Sequence, residues 1–324
     1  MSKKVTVNLL IYNHRKYLEK CLEGIFSQTY KNIQLIVMDN GSDDSSQEFI
    51  IKNHPDIHLI DNKSNLGYAK AHNIGIREGD GEYFMPLNPD VFMTPEFIEE
   101  KVKTIENEEN IGACDGKLYK IRFLENRFIA SDIIDSVGLV ILKNRKNYEI
   151  GAGERDVGQY EQERYIFGAF GAAPLYKKEM LEDIKIGNEY FDEDFFSYRE
   201  EVDLAWRAQL RGWKCIYNPS SIAYHVHSYS ARNRKIQPRY YKSLQFRNRY
   251  LMIMKNDIFK SCLKHSFNLL WYELRAFIYV CFCEPYLLMA YYDAIRLIPS
   301  MRKKRMYILK RKSISDDYIL SWFK

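Results

Sequence analysis

The sequence predicts an α/β fold in which a mostly parallel sheet is covered by helices on both faces, followed by a helical C-terminal region. Over about the first hundred residues, short apolar runs alternate with segments that have helical spacing. Each apolar run ends in polar turn residues, whereas the last part of the chain shows helical spacing throughout. Such strand–helix alternation is typical of parallel sheets, because each return crosses over through a helix.

The expected strands of this region are buried runs, namely Val5–Tyr12, Gln34–Asp39, His58–Ile60 and Glu82–Leu87. The helices between them are predicted from apolar spacing and start signals. They cover the segment around Leu18–Phe26, a segment from about Ser45, and Asn65–Arg77, with a fourth helix starting at Pro95, where proline is tolerated.

The middle of the chain, residues 111–192, is less regular and rich in glycine. Its run of small residues, Phe167–Ala173, would allow a backbone to approach a ligand closely. A helix is expected from about Glu200 to Gly212, and two short strands at Lys214–Tyr217 and Ile222–His227.

The charges divide the 324-residue chain into an acidic body and a basic tail. Residues 1–231 carry 28 Lys and Arg against 37 Asp and Glu, and residues 232–324 carry 20 against 6. We therefore predict a ligand-binding domain over 1–231 and a helical region over 232–324 that contacts an anionic surface or forms a dimer. The apolar run Leu269–Leu288 contains charged residues and a proline, which favours an interfacial pair of helices over a membrane span.

The start of the chain lacks the pattern of a signal peptide, and six cysteines are scattered without metal-ligand spacing. A cytoplasmic location is expected. Cys281 and Cys283 lie in an apolar run and are expected to be buried free thiols.

Two motifs follow the first two strands and could hold a nucleotide base. Tyr12 and Asn13 end one strand, and Asp39 begins the turn Asp39-Asn40-Gly41-Ser42 after the next. The ring of Tyr12 can stack on a base and Asp39 can accept its N–H, although such residues are also common in simple turns. Asn65 and Gly67 open a helix, whose N-terminus favours phosphate.

Asn88-Pro89-Asp90 follows the fourth strand. A carboxylate there can bind a divalent cation that also holds a diphosphate, or can belong to a turn. His225 and His227 alternate along a later strand and are candidate metal ligands, although single histidines are more often packed or surface residues.

An acidic segment, Glu200-Glu201-Val202-Asp203, begins a helix close to the small-residue run. Acidic residues in a first turn are favoured by the helix dipole, which is a structural explanation. One of these carboxylates could instead remove a proton from a hydroxyl group as a general base.

Taken in order, these motifs resemble the inverting GT-A-fold glycosyltransferases of family 2, over roughly residues 5–230. The chain is most similar to the rhamnosyltransferase-like branch of bacterial polysaccharide and O-antigen synthesis. Asn88-Pro89-Asp90 stands where the family has its DxD motif, and only Asp90 keeps the acid. Tyr12 and Asp39 match the base-binding positions, and Phe170–Ala173, with Gly171 and Ala172, matches the segment lining the sugar pocket.

The resemblance also implies a mechanism. Glu200-Glu201 matches the family's Glu-Asp pair, so Glu201 stands at the catalytic base, one methylene longer than the expected aspartate; Glu200 and Asp203 remain alternatives. His225 falls where the family often keeps a histidine near the metal, which would be Mg²⁺ or Mn²⁺. The implied donor is a nucleoside-diphosphate sugar, commonly dTDP-L-rhamnose. The implied acceptor is a saccharide on a polyprenyl diphosphate at the inner face of the cell membrane.

Two other functions are considered. A sugar nucleotidyltransferase would need a glycine-rich loop after the first strand, where this chain has Tyr12-Asn13-His14-Arg15-Lys16. A nucleic-acid-binding tail on an inert body is the non-enzymatic alternative. The tail aromatics Tyr240, Tyr241, Phe246 and Tyr250 have the spacing of a packed helix face, so no nucleic-acid partner is expected.

Overall fold

The computed structural model describes residues 2–124, 127–226 and 237–324. Ten of its strands form one sheet and two form a separate hairpin. In chain order the strands are β1 Val5–Ile11, β2 Ile33–Asp39, β3 His58–Asp61, β4 Tyr83–Leu87, β5 Val91–Met93, β6 Ile111–Leu124, β7 Arg127–Ser136, β8 Leu139–Ile141, β9 Asn147–Glu149, β10 Arg164–Ile166, β11 Leu175–Lys177 and β12 Lys214–His225.

The helices cover the sheet and then continue as a C-terminal bundle. In chain order they are α1 Arg15–Phe26, α2 Ser46–Asn53, α3 Gly67–Glu78, α4 Phe97–Ile105, α5 Lys178–Ile184, α6 Glu200–Leu210, α7 Arg239–Asn256, α8 Phe259–Lys264, α9 Ser266–Phe282, α10 Leu288–Arg296, α11 Ile298–Lys310 and α12 Asp316–Ser321.

The first four strands form the parallel part of the sheet, in the order β4-β1-β2-β3. Ile11 pairs with Asp39, and Leu9 pairs with Leu87, so the carboxyl ends of these strands lie at one edge. This confirms the expected α/β fold. It also brings the turns that follow the strands together, which is where open α/β sheets bind ligands.

The sheet continues beyond β4 with mixed strand directions. Strand β11 is antiparallel to both β4 and β6, and β12 runs parallel to β6. The middle region, which was expected to be less regular, begins with a long antiparallel hairpin of β6 and β7 that the sequence analysis did not predict. The two short strands expected around Lys214 and Ile222 are one strand, β12, with an irregularity between Asn218 and Ile222.

Three apolar clusters form the core. One lies under α1 and α4, and a second lies on the opposite face of the sheet under α5 and α6. The third joins the buried ring of Trp206 on α6 to Leu251, Met301 and Phe323 of the C-terminal region. The C-terminal region is therefore packed directly against the helix that begins at Glu200.

Helix α9 leaves most of its surface uncovered, because Val280 is its only buried residue. Helices α8, α9 and α10 follow one another in the chain, and we call their exposed apolar side chains the apolar face. These side chains are Phe259, Leu263, Phe267, Leu270, Trp271, Leu274, Phe277, Ile278, Tyr279, Phe282, Leu288, Met289, Tyr292 and Ile295. Cys281 and Cys283 are exposed on the same segment, so the expectation that they are buried was wrong. Among the described residues, no helix combines the length and the apolar character that a membrane span requires.

Candidate functional site

The turns after β1 and β2 are tied together at the carboxyl edge of the sheet. The hydroxyl and the backbone N–H of Ser42 both donate to Asp39 Oδ1, at 2.5 and 3.1 Å. The backbone N–H of Asn13 donates to Ser42 Oγ at 3.0 Å. Burial raises the pKa of Asp39, although the hydrogen bonds from Ser42 oppose this. The side chain of Tyr12 is 39% exposed beside this turn, so its ring is accessible to a planar ligand.

The start of α3 lies next to this turn but is already engaged within the protein. Asn65 Oδ1 accepts the N–H of Gly67 at 2.9 Å, and the N–H of Ala69 donates to the carbonyl of Phe196 at 3.1 Å. Gly67 has a φ of +79°, and a Cβ there would lie 2.5 Å from the Phe196 carbonyl oxygen. Gly67 is thus required by the backbone conformation and the close approach, and its role in binding a donor phosphate stays a prediction.

Asp90 lies in the tight turn between β4 and β5 and faces His225 at the end of β12. Its Oδ1 is 3.3 Å from His225 Nε2, and His225 Nδ1 is 2.7 Å from Asp135 Oδ2 on β7. All three side chains are buried. Burial lowers the pKa of His225, but Asp90 and Asp135 outweigh it and raise that pKa to about 10. Burial raises the pKa of Asp90, but the attraction of His225 outweighs burial and holds that pKa below its usual value.

This cluster fits a divalent cation in part. Asp90 could supply an oxygen ligand and His225, once its ring loses a proton, a nitrogen ligand, while Asp135 contacts the other imidazole nitrogen, as carboxylates do behind metal-bound histidines. No group of three or more His, Cys, Asp or Glu side chains forms a metal cage within residues 2–124, 127–226 and 237–324. Mg²⁺ commonly takes one or two protein ligands and completes its shell with phosphates and water. His227, the other predicted ligand, lies outside the described residues.

Gly171 and Ala172 connect the Asp90 turn to the start of α6. The carbonyl of Ala172 accepts the N–H of Asn88 at 2.9 Å. The carbonyl of Gly171 accepts the hydroxyl of Tyr68 at 2.7 Å. A Cβ on Gly171 would lie 3.5 Å from Cβ and Cγ of Glu201, so the backbone passes directly beside that side chain. The small-residue run therefore brings the metal-site turn and the acidic helix start together.

Glu200 and Glu201 begin α6 in a low-dielectric environment. Burial raises the pKa of Glu201 to about 7, although backbone N–H groups and Arg199 oppose it. Burial and repulsion by Glu201 raise the pKa of Glu200 well above its usual value. Glu200 is the more deeply buried of the two, and its Oε2 has no hydrogen-bond partner among the described residues. A carboxyl group that titrates near neutral pH can accept a proton in a reaction, so Glu201 is the better candidate base.

Asp203, the third acid of this segment, has a structural role. Its Oδ2 accepts from Arg207 Nε at 3.0 Å, and its Oδ1 lies 2.7 Å from Asn256 Nδ2 and 2.8 Å from Lys255 Nζ. It is completely buried. Asp203 thus joins α6 to α7 and does not face the site.

Two residues that position the site escaped the sequence analysis. Asp135 lies on β7, in the region expected to be less regular, and no local motif marks it. Tyr68 follows Gly67 within a recognised motif, and its hydroxyl holds the Gly171 carbonyl. Both act through contacts that are distant in sequence, which spacing alone does not reveal.

An open groove of about 920 Å³ lies beside β7 and β12, separate from these residues. It is lined by Tyr119, Tyr224, Ser131 and Asp132, among others. Neighbouring side chains on a strand point to opposite faces, so Tyr224 and His225 face away from each other. None of the described residues that the sequence predicts for donor, metal or base lines this groove.

Comparison with known proteins gives a family for this chain. The profile described as Glycosyl transferase family 2 matches residues 6–185, which is more than half of the chain. Glycosyltransferase GlyA of Streptococcus pneumoniae is 29% identical over 231 residues, covering 69% of this chain and 30% of that protein. The poly-beta-1,6-N-acetyl-D-glucosamine synthase of Staphylococcus aureus is 25% identical over 222 residues, covering 68% of this chain and 49% of that protein. The chain thus spans about a third to a half of the length of these relatives.

A solved structure supports the fold. The mannosyltransferase PcManGT of Pyrobaculum calidifontis, in complex with GDP-Man and Mn²⁺, has a TM-score of 0.52 and 16% identity. The match covers 99% of this chain and 79% of that one. It shows a GT-A-like sheet with helices, as the resemblance implied. On the family profile and the fold together, this chain belongs to glycosyl transferase family 2.

Proposed function

We propose that this protein transfers a sugar from a nucleoside-diphosphate donor to an acceptor hydroxyl group, with inversion at the anomeric carbon. The observation that carries the proposal is the position of Glu201. It is a carboxyl group with a pKa of about 7, and it packs against Gly171, whose neighbour Ala172 holds the turn that bears Asp90. The proposed base and the proposed metal site would thus lie on either side of one backbone segment.

The proposed reaction is a single displacement. The acceptor oxygen forms a bond to the anomeric carbon as the bond from that carbon to the diphosphate oxygen breaks. The acceptor proton passes to Glu201, and the nucleoside diphosphate leaves. Because Glu201 is half-buried and ionises near pH 7, it is available as a carboxylate and is basic enough to accept that proton.

Asp90 and His225 would hold Mg²⁺ or Mn²⁺ together with the diphosphate. Such an ion supplies charge stabilisation for the departing diphosphate. Asp135 keeps the His225 ring oriented through its 2.7 Å contact to Nδ1.

Tyr12, Asn13 and Asp39 would bind the nucleotide base, since an accessible ring stands beside a buried carboxylate. We propose dTDP-L-rhamnose as the donor to test first, from the resemblance of the motifs to the rhamnosyltransferase-like branch. The names of the relatives add N-acetylglucosamine donors to the panel, and the structural neighbour adds GDP-mannose.

We propose that the acceptor is a saccharide linked to a polyprenyl diphosphate, and that the apolar face docks on the anionic inner surface of the membrane. The charges around this face favour anionic lipid. Of the three acids in its segments, Glu273 pairs with Arg249 and Glu284 pairs with Lys242, and the third, Asp293, acts electrostatically on Arg247. The exposed charges that remain beside it are basic: Lys264, Arg275, Arg296, Arg302 and Lys303. Each such residue near an anionic surface contributes about 1 kcal/mol. Burial of this face in a homodimer is the alternative outcome.

The chemistry is tested by donor turnover. The protein is incubated with Mg²⁺ or Mn²⁺ and a panel of dTDP-, UDP- and GDP-sugars, and release of nucleoside diphosphate is followed. We expect release from one donor, abolished by EDTA and by Asp90→Ala, and unchanged in Asp132→Ala, an exposed acid on the same hairpin as Asp135. A folded protein that neither binds nor turns over any nucleotide sugar would overturn the proposal and favour a binding protein instead.

A further inference from the structure

The segment before the candidate base has an unusual backbone. Between Phe195 and Glu200, three residues with side chains have positive φ angles: Phe196 at +63°, Tyr198 at +71° and Arg199 at +69°. Residues with a Cβ avoid this region because of steric repulsion. Such conformations persist where the surrounding structure holds them, and they concentrate at functional sites. We call residues 195–199 the catalytic loop.

The catalytic loop joins the two sides of the site. Its Phe196 carbonyl accepts the N–H of Ala69 and lies against Gly67 at the start of α3. Its last residue, Arg199, is the N-cap of α6, so Glu200 and Glu201 follow it directly. A change in the shape of this loop would therefore move the candidate base relative to the donor side.

Side chains of helix α7, in the C-terminal region, hold the catalytic loop by donating hydrogen bonds to the carbonyl groups of the loop. Asn248 is completely buried, and its Nδ2 lies 2.9, 2.9 and 2.8 Å from the carbonyl oxygens of Phe195, Ser197 and Tyr198. Arg247 Nη2 donates to the carbonyl of Asp194 at 2.6 Å and to that of Phe195 at 3.2 Å.

The same helix also holds α6 itself. Asn256 Nδ2 donates to Asp203 Oδ1 at 2.7 Å, and Lys255 Nζ lies 2.8 Å from the same oxygen. The loop and α6 thus share one support, in which the amide nitrogen of Asn248 contacts three carbonyl oxygens of a single strained loop.

We propose that Asn248 is a positioning residue, which fixes the catalytic loop and through it places Glu201 for proton transfer. This rests on the proposed function, because it assumes that Glu201 is the base. Asn248 does not touch donor, metal or acceptor, so its effect falls on the geometry of the reacting groups and hardly on nucleotide binding. Displacement of a catalytic group by about 1 Å can reduce a rate about 100-fold.

The test compares Asn248→Ala with Asn268→Ala, which removes an exposed asparagine of the same C-terminal region. In Asn248→Ala we expect faster amide exchange at residues 195–203 and at Ala69, a fall in kcat of about 10- to 100-fold, and a nucleoside-diphosphate Kd within about threefold of wild type. Asn268→Ala leaves all three unchanged. Arg247→Ala, at a partly exposed position, gives the same pattern more weakly and serves if Asn248→Ala does not fold.

A folded Asn248→Ala variant with wild-type exchange in the loop and wild-type kcat would overturn the inference. So would a variant that loses nucleotide affinity in proportion to rate. If the wild-type protein turns over no donor, the proposed function fails, while amide exchange still reports whether Asn248 holds the loop.

Discussion

Replacement of Glu201 by glutamine removes the proposed base and keeps the shape of the side chain. Loss of a general base typically reduces the rate by about 10²- to 10⁴-fold, and we expect kcat of Glu201→Gln to fall within that range. Nucleotide affinity should change little, because Tyr12 and Asp39 lie at the ends of β1 and β2, whereas Glu201 lies on α6. The residual rate should be independent of pH near neutrality, since glutamine does not titrate.

The pH profile of the wild type follows from the pKa of about 7 that burial gives Glu201. The base works only as the carboxylate, so kcat rises with pH. The ionised fraction is about one tenth at pH 6, about half at pH 7 and about nine tenths at pH 8, so we expect a rise of roughly tenfold between pH 6 and 8. Glu149 raises the pKa of Glu201 by repulsion. Glu149→Gln should therefore move the profile to lower pH without lowering its plateau.

The thermal stability of Glu201→Gln shows whether a loss of activity comes from misfolding. The folded-state pKa of Glu201 lies above the ordinary value of 4.5, so the folded protein binds more protons than the unfolded chain between about pH 4.5 and 7. Stability from this group therefore falls as pH rises through that window. At pH 8, Glu201→Gln should melt at or above the wild-type Tm. A Glu201→Gln variant that keeps both the wild-type rate and its pH step would refute the assignment, as would a Glu200→Gln variant that loses both.

Three further predictions concern the backbone, the metal and the membrane. Gly67→Ala should cost about 1–3 kcal/mol of stability, because of its positive φ and a backbone oxygen 2.5 Å from the new Cβ; Gly187→Ala, with positive φ but no atom within 4 Å, should lower the Tm less. Asp135→Asn should weaken Mn²⁺ binding, measured by electron paramagnetic resonance, by about 10- to 100-fold, whereas Asp132→Asn should leave it unchanged. Phe282→Glu, at a side chain 84% exposed, should reduce retention on phosphatidylglycerol vesicles by about 10- to 100-fold.

Each of these predictions has a result that contradicts it. Equal melting of the two glycine variants would mean that the close approach to the loop is unimportant. Mn²⁺ affinity unaffected by Asp135→Asn would place the metal away from His225. Vesicle retention that survives Phe282→Glu, or a concentration-dependent dimer that this substitution dissociates, would favour the dimer over the membrane for the apolar face.

The parallel part of the fold could be predicted from the sequence because its signals are local. The strands around Leu9, Val37 and Met85 are short apolar runs, each followed by turn residues, and the sheet edge then brings Tyr12, Asp39 and Asp90 together. The long hairpin of β6 and β7 was missed because its outer strand alternates irregularly and carries many polar residues. Its stability comes from pairing with β6, which local patterns do not report.

The candidate site was predictable to the same degree. Glu200 and Glu201 stand out as an acidic helix start, but the choice between them depends on burial. The exclusion of Asp203 as a base depends on Lys255 and Asn256, which lie about fifty residues away in sequence. The same holds for Asn248, whose role exists only through the folded contact between α7 and the catalytic loop.

The central claim is a single displacement at the anomeric carbon, with Glu201 as the base. Its most direct test is the stereochemistry of transfer, measured by proton NMR of the product formed from the donor that the turnover panel identifies. The account predicts a product with the anomeric configuration opposite to that of the donor, formed by the wild type and formed about 10²- to 10⁴-fold more slowly by Glu201→Gln. A product that retains the donor configuration would contradict the account, because retention requires a different arrangement of the reacting groups.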